Sequence, residues 1–280
     1  MPDATEPDPR PLALVTNDDG IRSSFLHSLA RGLRANGFAV VIAAPHDEQS
    51  WVGRKMSRRE TVSCEQVEGL AGPAWALSGT PSDCVNIAIG HLLDRRPDVI
   101  CSGINVGHNV THTLILASGT VAGAMEGAYW GIPSIAFSKK IEADVFDRLR
   151  EQANTPHHPL RDEVDADGQR AGLITRAFWE RPWHRGDVIN VNFPSGSGAD
   201  TPIRLTRPAG IELGCLFAPE PDGGFAFQYS AGNRIDEAAD TDLAVLDSGD
   251  ISLSVLRFAQ IADPLDTQAF PLPDSLRIRT

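Results

Sequence analysis

The chain is short of cysteine, of basic charge and of long apolar runs, and each shortage closes off a class of protein. There are four cysteines in 280 residues, Cys64, Cys84, Cys101 and Cys215. None stands at Cys-x-x-Cys spacing, which argues against a zinc ribbon or a dithiol redox motif. Cys84 and Cys101 lie in apolar surroundings and read as buried small hydrophobes, a usage that fits a reducing compartment. Lysine and arginine number 25 against 37 acidic residues, a formal net charge of -12 with a pI near 5.0. A protein that coats a nucleic-acid polymer or an anionic membrane needs a basic face, so neither is expected as a partner. A small phosphorylated substrate is still allowed, because a local site with a metal can hold one. No apolar run approaches the length of a membrane span. The opening MPDATEPDPRP has no basic n-region and no apolar h-region, so no signal peptide is predicted and a cytoplasmic location is expected. There are no internal repeats.

What is present is an alternation of strand and helix. Residues 1–11 read as a disordered arm. Leu12–Thr16 is strand-like, and Phe25, Leu26, Leu29 and Leu33 then recur at helical steps, with Gly37 placed to end the helix. Residues 39–44 (AVVIAA) form a buried strand stopped by Pro45, and 46–59 is a long polar loop. Segments 61–67 and 74–77 suggest a hairpin. Thr80-Pro81-Ser82-Asp83 is a helix start with a capping box. The next strand, 98–102, leads into a glycine-rich loop predicted to run to Gly119. A helix over 120–130, ended by Gly131, and strands over 134–137 and 188–191 complete the pattern. Such alternation implies right-handed crossovers and a parallel sheet. Residues 154–168 read as a surface loop, and His157 and His158 as exposed. Beyond about residue 200, stretches 204–206, 225–229, 243–246 and 251–256 read as strands. The predicted organisation is therefore an α/β core over 12–199, a Rossmann-like, mostly parallel sheet flanked by helices, with a smaller antiparallel appendage and tail over 200–280.

Four polar clusters follow strands or open helices: Asn17-Asp18-Asp19-Gly20, residues 47–50, residues 102–109 (SGINVGHN) and Ser118-Gly119-Thr120. In an open α/β sheet, loops at the carboxyl ends of the strands converge on one edge, where ligands bind. Asp18 and Asp19 are adjacent carboxylates that repel each other. A cation between them explains the pair, and a plain polar turn explains it equally well. The candidate ligands across the clusters are all oxygen donors, a set that suits Mg²⁺ or Mn²⁺. Ser118-Gly119-Thr120 opens a helix, whose free N–H groups make a phosphate seat. Metal beside phosphate points to phosphoester hydrolysis. Asp83 reads as a cap and Glu126 as structural. His108 and His112 read as loop groups rather than metal ligands. Trp51 reads equally as a base-stacking ring or as a cover for its loop.

The stretches TNDDGI, AAPHDEQS, LSGTPSDCV, PDVICSGINVGHN, SGTVAGAMEGAYWGIPSIAFS, INVNFP and TDLAVLDSGDISLSVL together resemble the SurE family, the survival-protein 5'/3'-nucleotidases. The resemblance is dense over 12–140 and thinner over 186–257. It implies a metal-dependent phosphomonoesterase acting on nucleoside monophosphates. Carried over by position, Asp18, Asp19, Ser50 and Asn105 would hold the metal. Asn109, Ser118, Gly119 and Thr120 would hold phosphate, and Asp18, Asp19 and Asn109 would carry catalysis. The chain departs from the family at Trp51, where a glycine is usual, at Ala117, where tyrosine is frequent, and over 111–113, which replaces a more acidic stretch. The tail after Leu256 has no clear match, which sets subunit exchange of the tail in question; a homodimer is expected, with a tetramer as the larger option. Two other readings compete. Aspartyl-phosphate chemistry wants Asp-x-Asp after the first strand, and this chain has adjacent aspartates. A nucleotide-binding or assembly module without turnover is the non-enzyme alternative.

Overall fold

A computed structural model describes residues 8–70, 72–152 and 158–260. Most of the expected arm, the expected tail and His157 lie outside the described residues. Thirteen strands occur among them: β1 Leu12–Thr16, β2 Ala39–Pro45, β3 Cys64–Gln66, β4 Ala74–Leu77, β5 Val99–Val106, β6 Ser134–Lys139, β7 Asp187–Phe193, β8 Ile203–Leu205, β9 Ile211–Glu212, β10 Phe217–Pro219, β11 Phe225–Phe227, β12 Asn233–Arg234 and β13 Ile251–Arg257. The α-helices are α1 Ser24–Ala35, α2 Pro81–Ile87, α3 Thr111–Ala117, α4 Gly119–Tyr129, α5 Ala143–Gln152, α6 Arg161–Phe178 and α7 Asp242–Asp247.

Nine strands form one sheet in the order β3-β4-β2-β1-β5-β6-β7-β13-β8. From β4 to β7 every pairing is parallel; β3 and β13 run antiparallel to their inner neighbours. The chain leaves β1 toward β2 and β4, then returns to lay β5 on the other side of β1. That reversal between β1 and β5 is the topological switch point, where the strand-end loops part and a ligand crevice opens. Two small antiparallel sheets, β10–β11 and β9–β12, follow residue 200.

The core is sorted by strand periodicity. Successive side chains of a strand face opposite sides. Ala13 and Val15 therefore pack with Phe25, Leu29 and Val164 under α1 and α6, whereas Leu12 and Leu14 pack with Cys84 and Val85 under α2. Val121, Ala124 and Ala128 of α4 extend that second face over Ala136 and Val188. Both Cys84 and Cys101 are buried, as expected. The α2 start carries the capping box, with the Thr80 hydroxyl accepting from the Asp83 amide and Asp83 accepting from the Thr80 amide at 2.9 Å.

Five expectations are corrected. The loop expected over 154–168 is helical from Arg161. Val164, Ala171 and Ile174 bury at helical spacing, and Gly168 lets α6 touch α1: a Cβ on Gly32 would stand 1.7 Å from the Gly168 carbonyl oxygen. His158 is buried, its ring stacked on Phe25 with centroids 5.2 Å apart. The stretch 243–246 is helical in α7, because Thr241 caps it by accepting from the Ala244 amide. The glycine-rich loop after residue 102 is not one loop. Strand β5 continues to Val106, and α3 fills 111–117. Strands β8 and β13, from beyond residue 200, belong to the main sheet.

Candidate active site

The Asn17–Gly20 run makes a tight turn at the end of β1. The Asn17 side-chain amide donates to the Gly20 carbonyl at 3.0 Å, and Gly20 takes a φ of +99°. That left-handed conformation is open to glycine without strain. The turn leaves Asp18 and Asp19 facing the sheet edge. Asp18 is buried; its backbone oxygen accepts from the Gln49 amide at 2.7 Å, which ties the loop after β2 to the loop after β1. Asp19 accepts from the Val106 amide at 3.0 Å, which ties it to the end of β5.

Helix α4 points its N-terminus at the same place. The Thr120 hydroxyl donates a short hydrogen bond to Asp18. Gly119 allows the approach: a Cβ there would lie 2.8 Å from Asp18 Cβ and 2.9 Å from both Asp18 Oδ2 and the Gln49 oxygen. Ser118 is the N-cap, accepting from the Val121 amide at 3.1 Å.

Burial and mutual repulsion govern both aspartates. Burial pushes the Asp18 carboxyl up to about 6, with hydrogen bonds from the Thr120 hydroxyl and amide opposing part of the rise and the charge of Glu48 adding to it. Burial raises Asp19 well above the usual carboxylate range, followed by the charge of Asp18 and then of Glu48. Among the described residues neither aspartate forms an ion pair. A buried and a half-buried carboxylate side by side with no cationic partner are what a divalent cation would neutralise, so the residues present fit a metal. No group of three or more His, Cys, Asp or Glu among the described residues is arranged to hold one. Hydroxyl and amide oxygens beside the pair are the further donors that the oxygen-donor reading calls on.

Asn105 carries an amide oxygen of that kind. The register of β5 against β6 shifts between Ser102 and Asn105. An irregularity of this kind re-aims a side chain at a sheet edge. Gly103 permits it, since a Cβ there would sit 2.1 Å from the Phe137 oxygen. The buried Asn105 donates its amide nitrogen to the Gly107 carbonyl at 2.6 Å, so that its own carbonyl oxygen accepts nothing among the described residues. Ser50 lies on the loop that the Gln49 amide anchors. It is exposed, makes no hydrogen bond to either aspartate and donates to Glu48 at 2.8 Å. Glu48 belongs to the 47–50 cluster, but the sequence alone assigned it no role.

Asn109 stands on the β6–β7 side of the edge. Its side-chain amide donates to Ser138 at 2.8 Å, its backbone N–H donates to Asn192 at 2.8 Å, and its carbonyl accepts from Asn190 at 2.8 Å and Asn192 at 3.3 Å. These two asparagines are alternate residues of β7, both fully buried. Their signal in the sequence was polar residues at period two in an otherwise apolar strand. Just beyond, Thr111 takes a φ of +68°, and Asp242 holds it by accepting its amide at 2.8 Å. Asp83 and Glu126 are structural: Glu126 is buried and bonded to Arg54, Asn86 and Trp130. His112 lies on the exposed start of α3 and donates its backbone amide to Ala209 at 3.1 Å.

The family model for the survival protein SurE matches residues 13–212. The chain belongs to the SurE family. A SurE relative from Azorhizobium caulinodans, named as a 5'-nucleotidase, is 35% identical over 266 residues, covering 91% of this chain and 96% of its own. One of the same name from Methanosarcina acetivorans is 34% identical over 250 residues, covering 87% and 91%. The crystal structure of the SurE protein from Aquifex aeolicus superposes with a TM-score of 0.69 at 24% identity, covering 92% of this chain and 96% of that one. At that identity the likeness establishes the shared SurE fold: a mostly parallel sheet between helices, with small antiparallel sheets toward the C-terminus. No helix among the described residues is long and apolar enough to cross a membrane.

Proposed function

We propose that the protein is a 5'-nucleotidase, a metal-dependent phosphomonoesterase that hydrolyses nucleoside monophosphates to nucleoside and phosphate, with 3'-phosphates as a second point of cleavage. The observation that carries this reading is the unneutralised carboxylate pair, Asp18 buried and Asp19 half-buried, set against the N-terminus of α4 at the switch point of the sheet. The names of the SurE relatives support the activity. Asp18, Asp19, Ser50 and Asn105 would hold Mg²⁺ or Mn²⁺. Such an ion, when bound, polarises a phosphoryl oxygen and lowers the pKa of water.

The chain's own groups do the rest. Ser118, Gly119 and Thr120 present the opening of α4 to the phosphate, where the N–H groups and the helix dipole favour negative charge. Thr120 also fixes Asp18 by the hydroxyl hydrogen bond. Asn109, held rigid by Ser138, Asn190 and Asn192, donates toward the charge that grows on the phosphoryl oxygens. Asp19 orients the attacking water; the water oxygen bonds to phosphorus as the P–O bond to the ribose breaks, and a proton released by that water ends on the ribose oxygen, which leaves as a hydroxyl. The working assembly is a homodimer, which sedimentation would test.

The test is phosphate release from AMP, GMP, CMP and UMP with Mg²⁺, with Mn²⁺ and with EDTA, beside Asp19→Asn. Release that depends on metal and falls at least a hundredfold in Asp19→Asn is expected. Full turnover in EDTA overturns the metal reading. Nucleotide binding without turnover of any phosphomonoester overturns the enzyme reading in favour of a binding module.

A further inference from the structure

The loop between the two halves of the site carries a tryptophan that the phosphate chemistry does not use. Trp51 directly follows Ser50. On one side, the Gln49 amide is bonded to the Asp18 oxygen at 2.7 Å; on the other, the Gly53 amide is bonded to the Ala117 oxygen at 2.9 Å. Ala117 is the residue before the Ser118 cap. Trp51 is therefore pinned between the carboxylates and the opening of α4, on a loop held at both ends.

Its backbone is the second unusual feature. Trp51 takes a φ of +61°. A bulky residue in this region is an outlier, and such outliers persist only where the surrounding structure holds them; they gather at functional sites. The third feature is the company the ring keeps. Across from it stand Phe227, with centroids 5.0 Å apart and planes tilted by 59°, and Tyr229 at 6.1 Å and 58°. Phe217 backs Phe227 edge-on at 5.8 Å. These rings come from β10, β11 and the residues after them, far away in sequence. They converge on Trp51 yet stay open: Trp51 is 41%, Phe227 47% and Tyr229 50% exposed. Tilted and half-exposed, the three rings keep faces available for a further flat ring. A planar aromatic guest stacks on such faces with little regard to its hydrogen-bonding pattern.

We infer that Trp51, Phe227 and Tyr229 form the nucleobase platform of this enzyme and make Trp51 its specificity-determining residue, favouring the larger purine bases. The inference rests on the nucleotidase reading, since it takes the phosphate of the same substrate to sit at α4. The platform is joined to that opening through the Gly53–Ala117 hydrogen bond, which starts two residues after Trp51 and ends one residue before Ser118. The guest is a neutral aromatic heterocycle, and the rings carry no charge to exclude it.

The experiment compares wild type with Trp51→Gly and Phe227→Ala on AMP, CMP and ribose 5-phosphate, a substrate with the same phosphoester and no base. Glycine accepts the backbone conformation of residue 51, so loss of fold is not the expected cause of any change; thermal melting of each variant checks this. The expected result is that the ratio of kcat/KM for AMP to that for ribose 5-phosphate falls at least tenfold in Trp51→Gly, mainly through KM, and falls less for CMP. Adenosine binding measured by calorimetry should weaken by a similar factor, a readout that does not need turnover. A ratio that stays within twofold, or adenosine binding that is unaltered, overturns the inference and leaves the phosphatase intact. A variant that sediments as a smaller species while its ratio is kept also overturns it, and makes the rings a contact between copies. If wild type hydrolyses none of the three, the nucleotidase reading fails; adenosine binding lost in Trp51→Gly would then still uphold the platform.

Discussion

Replacing Gly119 by alanine tests the heart of the site with one methyl group. The added Cβ would meet Asp18 Cβ at 2.8 Å, Asp18 Oδ2 at 2.9 Å and the Gln49 oxygen at 2.9 Å. Comfortable contacts between carbon atoms lie at about 3.5–4.0 Å, so the first contact alone is short by about 0.7 Å. None of the three atoms is the free end of a flexible chain. Asp18 is tied to Thr120 and to the Gln49 amide. The strain must therefore move Asp18, the loop carrying Ser50, or the start of α4. A displacement near 1 Å in a catalytic constellation costs about a hundredfold in rate. Overpacking costs about 1–3 kcal/mol, and alanine returns at most about 1 kcal/mol of helix propensity over glycine. The net loss is thus about 0–3 kcal/mol, a fall in Tm of no more than about 12 °C at about 2–4 °C per kcal/mol. We expect kcat for AMP to fall about a hundredfold and metal affinity to weaken, with the fold kept. Gly90→Ala is the control, because nothing lies within 4 Å of its added Cβ. Phosphate release, metal titration and melting of both variants make the assay. Activity in Gly119→Ala within threefold of wild type would refute the reasoning, since the helix opening would then not bear on Asp18.

Three further outcomes follow from the same structure. Asn192→Ala removes the acceptor of the buried Asn109 amide at 2.8 Å; leaving such a group unsatisfied costs about 1–3 kcal/mol, and kcat should fall at least tenfold, with Asn192→Asp, which keeps the acceptor, recovering part of it. Lys139 is fully buried, paired with Glu163 and with Asp167 at 2.9 Å, and bonded to the Pro194 oxygen at 2.6 Å. Lys139→Met strands two carboxylates and should cost about 3–5 kcal/mol in denaturant unfolding, whereas no loss would show the pair to be unimportant. Burial lowers the His158 pKa below its ordinary 6.5, and its Nδ1 is buried with no partner among the described residues. The folded state therefore binds fewer protons than the unfolded chain as pH falls below 6.5, and stability present above that pH is lost. His158→Phe should keep its Tm better than wild type between pH 6.5 and 5, and an equal acid loss in both proteins would refute this.

How far the sequence could be read depended on the range of the forces involved. The Asn17–Gly20 turn, the Thr80 capping box and the Gly119 helix start are local chemistry, legible because each partner lies within four residues. The stretch 154–168 misled because its prolines, histidines and charges read as a polar surface loop, and only the backbone of α1 shows Gly168 to be a close helix contact. His158 looked exposed in a polar stretch, and Phe25, far back in the chain, is what buries it. The helix at 242–247 was hidden because its short apolar run suits a strand as well, and the cap at Thr241 decided it.

The sequence by itself determined the α/β class, the order of the core elements and the oxygen-only character of the candidate ligands, since these follow from periodicity and residue chemistry. The tertiary structure alone decided what those residues face. It set Asp19 on the Val106 amide and Asp18 on Thr120 and against the opening of α4. It clamped Asn109 between Ser138 and two asparagines of β7, and brought Phe227 and Tyr229 to Trp51. Each of these pairings joins residues separated by dozens of positions. They depend on strand register and helix approach, and the folded sheet is what fixes both.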